Sequence, residues 1–382
     1  MQKRKWRMGM VGGGKDAFIG AVHRRAALMD GRAELVCGAF SRSPEKSLAA
    51  GREYFLPDNR IYGSFQEMFA AELRLSEDAR MDFVVIVTPN NMHYPAAMAA
   101  LAAGFHVVCD KPLTTTLAEA RRLALAVRKT RRLFCLTHNY TGYPMVKEAR
   151  GLARGGRLGK IRRVVVEYPQ GWLAGRLEAT GQKQAAWRTD PKRAGSTCCM
   201  GDIGSHCENL AEYITGLKIK SLCADLATFV KGRPLDDDGS VLLRFDNGAH
   251  GVLWASQIAV GEENALAIRV YGETGAVLWR QQDPDTLLIH RTNRATEIRR
   301  RGTGFVEPAT AAATRLPAGH PEGFHDAFAN LYRSFYDALE MTIAGRKVTE
   351  CDYPNIHDGV RGMAFLEAVV RSSRSGGKWI NL

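Results

Sequence analysis

An aspartate and a histidine stand four residues apart in the segment Gly201-Asp202-Ile203-Gly204-Ser205-His206. If this segment forms the first turn of a helix, the two side chains lie on one face, about one turn apart. A carboxylate beside an imidazole sets the tautomer and the pKa of the histidine for proton transfer. The pair therefore predicts an acid–base site. The structural alternative is an aspartate that caps the helix beside a histidine that only packs.

A lysine after a predicted strand is the second chemical candidate. The apolar runs 81–87 and 105–109 are typical of strands buried on both faces. They lead into Thr88-Pro89-Asn90-Asn91-Met92-His93 and Asp110-Lys111-Pro112, respectively. In doubly wound sheets, the loops at the carboxyl ends of strands carry the ligand site. Lys111 is therefore a candidate contact for a reacting group, and an ordinary solvated lysine is the alternative.

The elements that position these residues begin with a glycine turn. A predicted strand, 6–11, runs into Gly12-Gly13-Gly14-Lys15-Asp16-Ala17. This fits the dinucleotide fingerprint G-x-G-x-x-A, in which Gly12 permits the turn, Gly14 lets the backbone approach a pyrophosphate and Ala17 allows close packing. The amides at the start of the following helix would face the phosphates. A glycine turn without a ligand is the alternative.

The end of the second predicted strand bears on the type of dinucleotide. Residues 33–40 lead into Ser41-Arg42-Ser43-Pro44-Glu45-Lys46, without the acidic residue that an NAD site places here for the ribose hydroxyls. Arginine binds phosphate through two parallel hydrogen bonds, and Lys46 adds a second cation. The segment therefore favours NADP(H) over NAD(H). Stacking of Arg42 on adenine, without discrimination, is the alternative.

The order of elements predicts two domains. Strands alternate with helices up to about residue 138, which indicates a Rossmann-type, doubly wound parallel sheet over 1–138. The remainder, 139–382, contains several predicted strands with hairpin turns such as Asp246-Asn247-Gly248. It is expected to form an α/β domain on a large, mostly antiparallel open sheet that binds substrate and mediates oligomerisation. The segment 292–319 is predicted to be a long loop with possible strand content.

The composition of the chain limits the classes of partner that it is expected to bind. The chain has 382 residues, 45% of them hydrophobic, and a net charge of +13. The basic residues are spread over several segments without interleaved aromatics, so we do not expect nucleic-acid binding. No apolar run reaches the roughly 20 residues that span a bilayer, and no signal segment precedes the first strand, which predicts a cytoplasmic protein. The eight cysteines form no CxxC pair, so we expect reduced thiols and no metal.

Five motifs together resemble one family. The order GGGKDA, TPNNMH, DKP, WRTDP and GDIGSH is similar to that of the Gfo/Idh/MocA family of nicotinamide-dependent sugar and cyclitol oxidoreductases. The resemblance covers nearly the whole chain. It implies that Lys111 lies beside the nicotinamide and the reacting hydroxyl, that Pro112 follows a cis peptide, and that Asp202 and His206 are the family's catalytic pair. The family's usual EKP is Asp110-Lys111-Pro112 here, and the turn before His23 is slightly longer than in common members.

The predicted site has three sets of residues. Catalysis is assigned to Lys111, Asp202 and His206. Cofactor binding is assigned to Gly12, Gly14, Ala17, Phe18, Ile19, Ser41, Arg42, Lys46, Thr88, Pro89, Asn90, His93, Asp110, Lys111, Asn139, Trp187 and Arg188. Substrate binding is assigned to Lys111, Tyr140, Arg188, Asp202, His206, His320 and His325, with Asp190 and Trp172 as further candidates.

The predicted reaction is oxidation of a secondary alcohol on a sugar, glycoside or cyclitol. His206 takes the hydroxyl proton, Lys111 stabilises the charge on the same oxygen, and Asp202 holds the cluster. The cofactor is NAD(P), with NADP favoured. The alternatives are an NAD-dependent glycoside-cleaving enzyme on the same scaffold and a cofactor-binding sensor without turnover. Because an open sheet face has to be covered, a homodimer or homotetramer is expected.

Overall fold

The computed structural model describes residues 4–15, 17–348 and 351–382, so Asp16 of the glycine motif lies outside the described residues. The chain divides into two compact units. The first comprises Met1–Asn139 and Phe328–Val360, and the second comprises Tyr140–Ala327 and Arg361–Leu382. The domain boundary between residues 138 and 139 stays a prediction. The compact units differ from it because Phe328–Val360 groups with the N-terminal part of the chain.

The first unit contains a five-stranded parallel sheet in the order β2-β1-β3-β4-β5, which confirms the predicted Rossmann-type fold. Its elements are β1 (Trp6–Gly12), α1 (Phe18–Leu28), β2 (Ala33–Ala39), α2 (Pro44–Glu53), α3 (Phe65–Glu72), β3 (Phe83–Val87), α4 (His93–Ala102), β4 (His106–Cys109), α5 (Leu117–Thr130) and β5 (Phe134–Leu136). The order reverses direction between β1 and β3, where doubly wound sheets bind their ligands.

Burial explains why the central strand reads as a continuous apolar run. Every residue of β3 is buried, as expected for a parallel strand with helices on both faces. One covering element is the later helix α11 (Phe324–Ile343), whose Phe335 ring lies 5.4 Å from that of Phe83. On the same helix, the hydroxyl of Tyr336 donates to the carbonyl of Ala27 at 2.9 Å. A late segment of the chain therefore helps to form the core of the first unit.

The outer strand β5 is also paired with late residues. Cys135 forms an antiparallel bridge with Asn355, and the amide of Leu136 donates to the carbonyl of Pro354 at 2.8 Å. Backbone groups of an edge strand that would otherwise be open to pairing are satisfied in this way.

The second unit contains a nine-stranded sheet in the order β13-β12-β11-β10-β6-β9-β8-β7-β14. All neighbouring pairs are antiparallel except β6 with β9, which confirms the predicted mostly antiparallel sheet. Its strands are β6 (Ile161–Pro169), β7 (Ile219–Ala227), β8 (Asp238–Phe245), β9 (His250–Ser256), β10 (Ala267–Gly272), β11 (Gly275–Arg280), β12 (Thr286–Arg291), β13 (Arg294–Arg300) and β14 (Ile380–Asn381). The remaining helices are α6 (Pro144–Arg154), α7 (Lys183–Arg188), α8 (Pro191–Ala194), α9 (Ser205–Thr215), α10 (Pro308–Ala313) and α12 (Ile356–Arg374).

The segment expected to be a long loop, 292–319, contains a full strand and a short helix. Strand β13 pairs with β12, and α10 begins with Pro308 at its first position. The strand content was therefore foreseen, but its extent was not. The sequence signal is weak because five of the seven residues in Arg294–Arg300 are charged or threonine, and six are exposed, so no alternation of apolar residues marks this edge strand.

Candidate active site

The glycine turn after β1 has the geometry that the fingerprint predicts. Gly12 has a φ of +85°, and a Cβ atom on it would lie 2.9 Å from the carbonyl oxygen of Val87. A Cβ on Gly14 would lie 2.8 Å from the carbonyl oxygen of Phe40. Both positions therefore require glycine. Ala17 precedes α1, which begins at Phe18, and no side chain caps the first amides of this helix, so they are available to an anionic group.

Residues after β2 are arranged around a helix start. The Ser41 hydroxyl accepts from the amide of Ser43 at 3.2 Å, and Ser43 caps α2 by accepting from the amide of Lys46 at 3.3 Å. The side chains of Arg42 and Lys46 are exposed, and neither forms a hydrogen bond or an ion pair with the part of the chain that the structure describes. Two cations are therefore available at this strand end.

Two buried polar atoms in the first unit test whether the residues fit a dinucleotide. The Thr88 hydroxyl after β3 and the Asn139 amide nitrogen after β5 are buried and have no hydrogen-bond partner among the described residues. Pro89 and Asn90 complete the loop that Thr88 opens. Buried polar groups without partners are uncommon and call for a ligand or water. The two atoms, with the glycine turn, fit a bound nicotinamide dinucleotide.

His93, at the start of α4, contacts backbone carbonyls with both ring nitrogens. Nδ1 lies 2.8 Å from the carbonyl oxygen of Pro112, and Nε2 lies 3.0 Å from that of Thr88. The ring is 1% exposed. Burial lowers the pKa of His93, while the charge of Asp110 and the two carbonyls act in the opposite direction. Both nitrogens are thus engaged within the first unit, and the role of His93 as a ligand contact stays a prediction.

The lysine candidate follows β4 between two well-held residues. The Lys111–Pro112 peptide is cis, as the resemblance implies. Asp110 accepts a hydrogen bond from the Thr137 hydroxyl at 3.1 Å, and its Oδ1 lies 3.9 Å from Nε2 of His23. Burial alone would raise the pKa of Asp110, but His23, Lys111 and His93 outweigh it and hold the pKa at about 2. Asp110 is therefore an anion beside Lys111.

Two further buried histidines surround this strand end. Nδ1 of His23 lies 2.6 Å from the hydroxyl of Tyr332, and the histidine is fully buried. Burial, and then the charge of Lys111, lowers the pKa of His138 to about 3. Uncharged His138 is thus close enough to Lys111 to sense its charge. Sequence reasoning did not assign a role to His23, His138 or Thr137, although all three stand near strand ends or the glycine turn.

In the second unit, the Asp202 segment is not an ordinary helix start. Met200–Gly204 forms a π-helical turn, and α9 begins only at Ser205. Such turns are frequent at functional sites. The Asp202 carboxylate accepts from Nε of Arg188 at 3.0 Å and from the Gln257 amide at 2.9 Å. Asp202 therefore bridges the end of α7 and the residue after β9.

Arg188 connects this bridge to two tryptophans. Its guanidinium lies 4.3 Å from the Trp187 ring centre and 5.9 Å from that of Trp172. A second nitrogen donates to the Gln184 side chain at 2.6 Å. The positive charge of Arg188 and the negative charge of Asp202 compensate each other. Asp190, a further candidate, caps α8 by accepting from the amide of Lys192 at 3.0 Å.

His206 lies against aromatic rings. It is 7% exposed, and its ring centre is 4.8 Å from that of Tyr140 and 6.3 Å from that of Tyr168, both near-edge or tilted contacts. The two tyrosine hydroxyls are hydrogen bonded to each other. Tyr168 donates to the Asn264 side chain at 2.7 Å, so the proton of that bond between the tyrosines comes from Tyr140. Tyr140 is consequently an acceptor toward any further partner.

The two remaining histidine candidates differ in exposure. His320 is exposed in the turn before α11. His325 is half-buried, and its Nε2 atom is buried without a hydrogen-bond partner among the described residues. Neighbouring Phe324 places its ring 6.4 Å from that of Tyr140. His325 thus belongs to the same side of the second unit as Tyr140, whereas no contact of His320 with these side chains is seen in the described residues.

The structure therefore forms two groups of candidates. Lys111 lies in the first unit with all predicted cofactor residues except Trp187 and Arg188. These two lie in the second unit with Asp202, His206 and Tyr140. That all three catalytic residues act on one substrate stays a prediction. Gln257 and Tyr168 were missed. Both lie at ends of strands in the mostly antiparallel sheet, to which the strand-end rule for doubly wound sheets does not apply, so no sequence pattern marked them.

Three findings concern metal sites, cysteines and membrane-spanning helices. Within the described residues, no group of three or more His, Cys, Asp or Glu side chains is placed to hold a metal ion. All eight cysteines are free, and six of them are buried. No helix in the described part of the chain has the length and apolar character needed to cross a membrane.

The parallel sheet with a glycine turn after its first strand belongs to the dinucleotide-binding class of folds. Residues 6–138 match the family described as an oxidoreductase family with an NAD-binding Rossmann fold, and residues 146–278 match the GFO/IDH/MocA C-terminal domain. The chain therefore belongs to the Gfo/Idh/MocA family of oxidoreductases, as the motifs predict.

Solved structures of similar proteins agree with this assignment. An oxidoreductase from Sinorhizobium meliloti is 45% identical with a TM-score of 0.89, and the match covers 99% of this chain and 100% of that one. An inositol dehydrogenase homolog from Azotobacter vinelandii, complexed with NAD+, is 35% identical with a TM-score of 0.95, covering 99% and 98% of the two chains. The same homolog has been solved with NADH and myo-inositol, at 34% identity, a TM-score of 0.91 and coverage of 99% and 98%. Levoglucosan dehydrogenase from Pseudarthrobacter phenanthrenivorans is 28% identical over 61% of this chain and 64% of its own.

Proposed function

We propose that the protein oxidises a secondary alcohol of an uncharged cyclic polyol, a cyclitol or a sugar, with NAD(P)+ as the hydride acceptor. The observation that carries the substrate class is the character of the polar groups around Asp202. Besides the compensating Arg188–Asp202 pair and the tyrosine hydroxyls, they include side-chain amides. Gln184 and Gln257 bond to Arg188 and Asp202, and Gln170 and Asn264 lie beside Tyr168. Amides both donate and accept, which suits the hydroxyls of a neutral ring. Relatives that bind myo-inositol or are named for levoglucosan support the same class.

The proposed roles follow from the chemistry of three side chains. NAD(P)+, when bound, supplies the hydride acceptor. His206 accepts the hydroxyl proton of the substrate, since its imidazole is the group whose ordinary pKa lies near neutrality. The ammonium of Lys111 donates to the same oxygen and stabilises the charge that develops there. Asp202, held by Arg188 and Gln257, orients this cluster. In the reverse direction, His206 returns the proton.

The cofactor residues are proposed as the sequence assigned them, except for His93, whose ring nitrogens both face backbone carbonyls. Gly12, Gly14 and the start of α1 would hold the pyrophosphate, and Thr88 and Asn139 have the unpartnered polar atoms for the nicotinamide end. The exposed cations Arg42 and Lys46, after a strand that does not end in the acidic residue of an NAD site, support NADP(H) over NAD(H). Because one relative has been solved with NAD+, a direct comparison of NAD(H) and NADP(H) binding is the most informative test of this preference.

Self-association and location are also proposals. Leu242, Tyr271 and Ile298 on the strands of the second sheet are 49%, 42% and 65% exposed, which supports a sheet face covered by another subunit in a homodimer or homotetramer. The eight free cysteines support a reducing compartment such as the cytoplasm.

The test is a cofactor-reduction screen. NAD+ and NADP+ are offered with inositols, monosaccharides and glycosides, reduction is followed by the absorbance of the reduced nicotinamide, and the product is identified by mass spectrometry. Formation of a ketone product with matching cofactor reduction supports the proposal. Cleavage of a glycoside without net reduction would support the glycoside-cleaving alternative, and tight NAD(P)H binding without turnover of any polyol would support the sensor.

A further inference from the structure

Buried His93 contacts two loops of the first unit. One loop contains the cofactor candidate Thr88, and the other contains the catalytic candidate Lys111. The Nδ1 atom of His93 is 2.8 Å from the carbonyl of Pro112, directly after Lys111, and its Nε2 atom is 3.0 Å from the carbonyl of Thr88. We infer that His93 is a positioning residue, which holds the backbone directly after Lys111 by donating from Nδ1 to the carbonyl of Pro112, while its Nε2 atom faces the Thr88 loop. This inference rests on the proposed function.

The hydrogen-bond chemistry of the His93 ring determines which of the two loops it holds. A carbonyl oxygen only accepts, so a ring nitrogen binds it only when that nitrogen carries hydrogen. Burial lowers the pKa of His93 and so disfavours a ring with hydrogen on both nitrogens. A neutral ring holds one loop, and the shorter contact is the one to Pro112.

The other flank of Lys111 is fixed independently. The amide of Asp110 donates to the carbonyl of Ile86 in β3 at 3.0 Å, and its side chain accepts from Thr137. The backbone is therefore held before Lys111 by β3 and Thr137, and after it by His93. A lysine side chain has four rotatable carbons, so a fixed backbone is the means by which the protein limits where its ammonium can reach. Misplacement of a catalytic group by about 1 Å can cost on the order of 100-fold in rate.

The experiment compares His93→Phe, which keeps the ring volume without donors, with His93→Gln, which restores one side-chain donor group. The matched control is His106→Asn, because His106 is also a buried histidine of the first unit, but it accepts from the amide of Leu133 and contacts neither loop. For each protein we would measure kcat and KM with the polyol that the wild type oxidises, the Kd for NADH by fluorescence, and thermal unfolding. In a separate experiment on the cofactor-free protein, mass spectrometry would give the rate at which an amine-reactive acylating reagent modifies Lys111.

The expected result is a loss specific to the lysine. In His93→Phe, kcat falls by about 10- to 100-fold and the acylation rate of Lys111 changes by at least about threefold, while the Kd for NADH stays within about threefold. His93→Gln recovers part of kcat, and His106→Asn leaves kcat and the acylation rate unchanged. The inference is overturned if His93→Phe keeps kcat within about twofold, or if it loses NADH binding and thermal stability in proportion to kcat.

The two proposals fail in distinguishable ways. If the wild type oxidises no polyol but binds NADH, the proposed function fails, and the acylation rate of Lys111 in the variants still tests the positioning by His93. An unchanged acylation rate in folded His93→Phe then overturns the inference as well.

Discussion

The candidate residues of the two units are held in place by different kinds of contact. In the first unit, Lys111 and Thr88 stand on loops whose backbone is bonded to neighbouring strands and to His93. In the second, Asp202 and His206 are surrounded by side chains that contact one another, such as Arg188, Gln257 and Tyr140. A backbone-defined site follows from sheet topology, whereas a side-chain-defined site depends on which residues the fold happens to bring together.

The sharpest test of this contrast removes one reacting group from each unit. Lys111→Ala and His206→Ala are each expected to lower kcat by about 100- to 10,000-fold, because each loses a proton-transfer or charge-stabilising group. The Kd for NADH should stay near that of the wild type. Steady-state kinetics and fluorescence titration provide the measurements. Lys129→Ala and His250→Ala, at exposed positions of the same two units, are the controls. Near-normal kcat in either active-site variant would remove that residue from the mechanism.

The acid sensitivity of the first unit offers a second test. Burial lowers the pKa of His106 to about 4, and its Nδ1 atom must be unprotonated because it accepts from the amide of Leu133 at 2.9 Å. Since the unfolded chain binds the proton more tightly, stability is fully present above about pH 6.5 and falls by about 3 kcal/mol as the pH drops to about 4. His106→Asn keeps an acceptor but cannot titrate. Denaturant unfolding of both proteins between these pH values should show a shallower decline in the variant.

The same slope in wild type and His106→Asn would mean that another group causes the acid sensitivity. Buried His138 is expected to add to the decline in the same window, because its pKa of about 3 also lies below the value of about 6.5 in the unfolded chain, so the variant should keep that part of the slope.

The side-chain network of the second unit predicts non-additivity. Arg188 and Gln257 donate to the same carboxylate oxygen of Asp202, so Arg188→Met and Gln257→Leu should each cost about 1–3 kcal/mol of unfolding free energy. The double variant should depart from the sum by about 0.5–3 kcal/mol. A cycle of Gln257→Leu with Arg244→Ala, an exposed arginine that stacks on Trp379, should be additive. Additivity in the first cycle would contradict a shared network.

The smallest expected effect concerns the cofactor. Arg42→Ala should raise the KM for NADP+ about tenfold, the loss of one charge-assisted hydrogen bond, and leave that for NAD+ unchanged. Arg52→Ala is the matched control, because Arg52 lies in the same unit but is paired with Asp58. Equal effects on both cofactors would show that Arg42 stacks or packs and does not read the 2′-phosphate.

Sequence alone predicted the first unit better than the second. The apolar runs around Phe83 and Val107 identify parallel strands, and the position of Lys111 after one of them follows from that topology. Asp202 and His206 were found by their spacing, but the π-helical turn that carries them was not. The residues that hold Asp202 were found only in part, since Gln257 is 55 positions away in sequence and has no motif of its own. Contacts between distant side chains leave no periodic trace for a sequence pattern to report.

The bridge between Cys135 and Asn355 has a practical consequence for protein engineering. The outermost strand of the nucleotide-binding sheet pairs with a segment more than two hundred positions later in the chain. Residues 1–138 therefore cannot be exchanged as an independent unit. A chimera that exchanges this sheet between two relatives would have to carry both pieces of chain, or its border strand and the ring of Phe83 would be left uncovered.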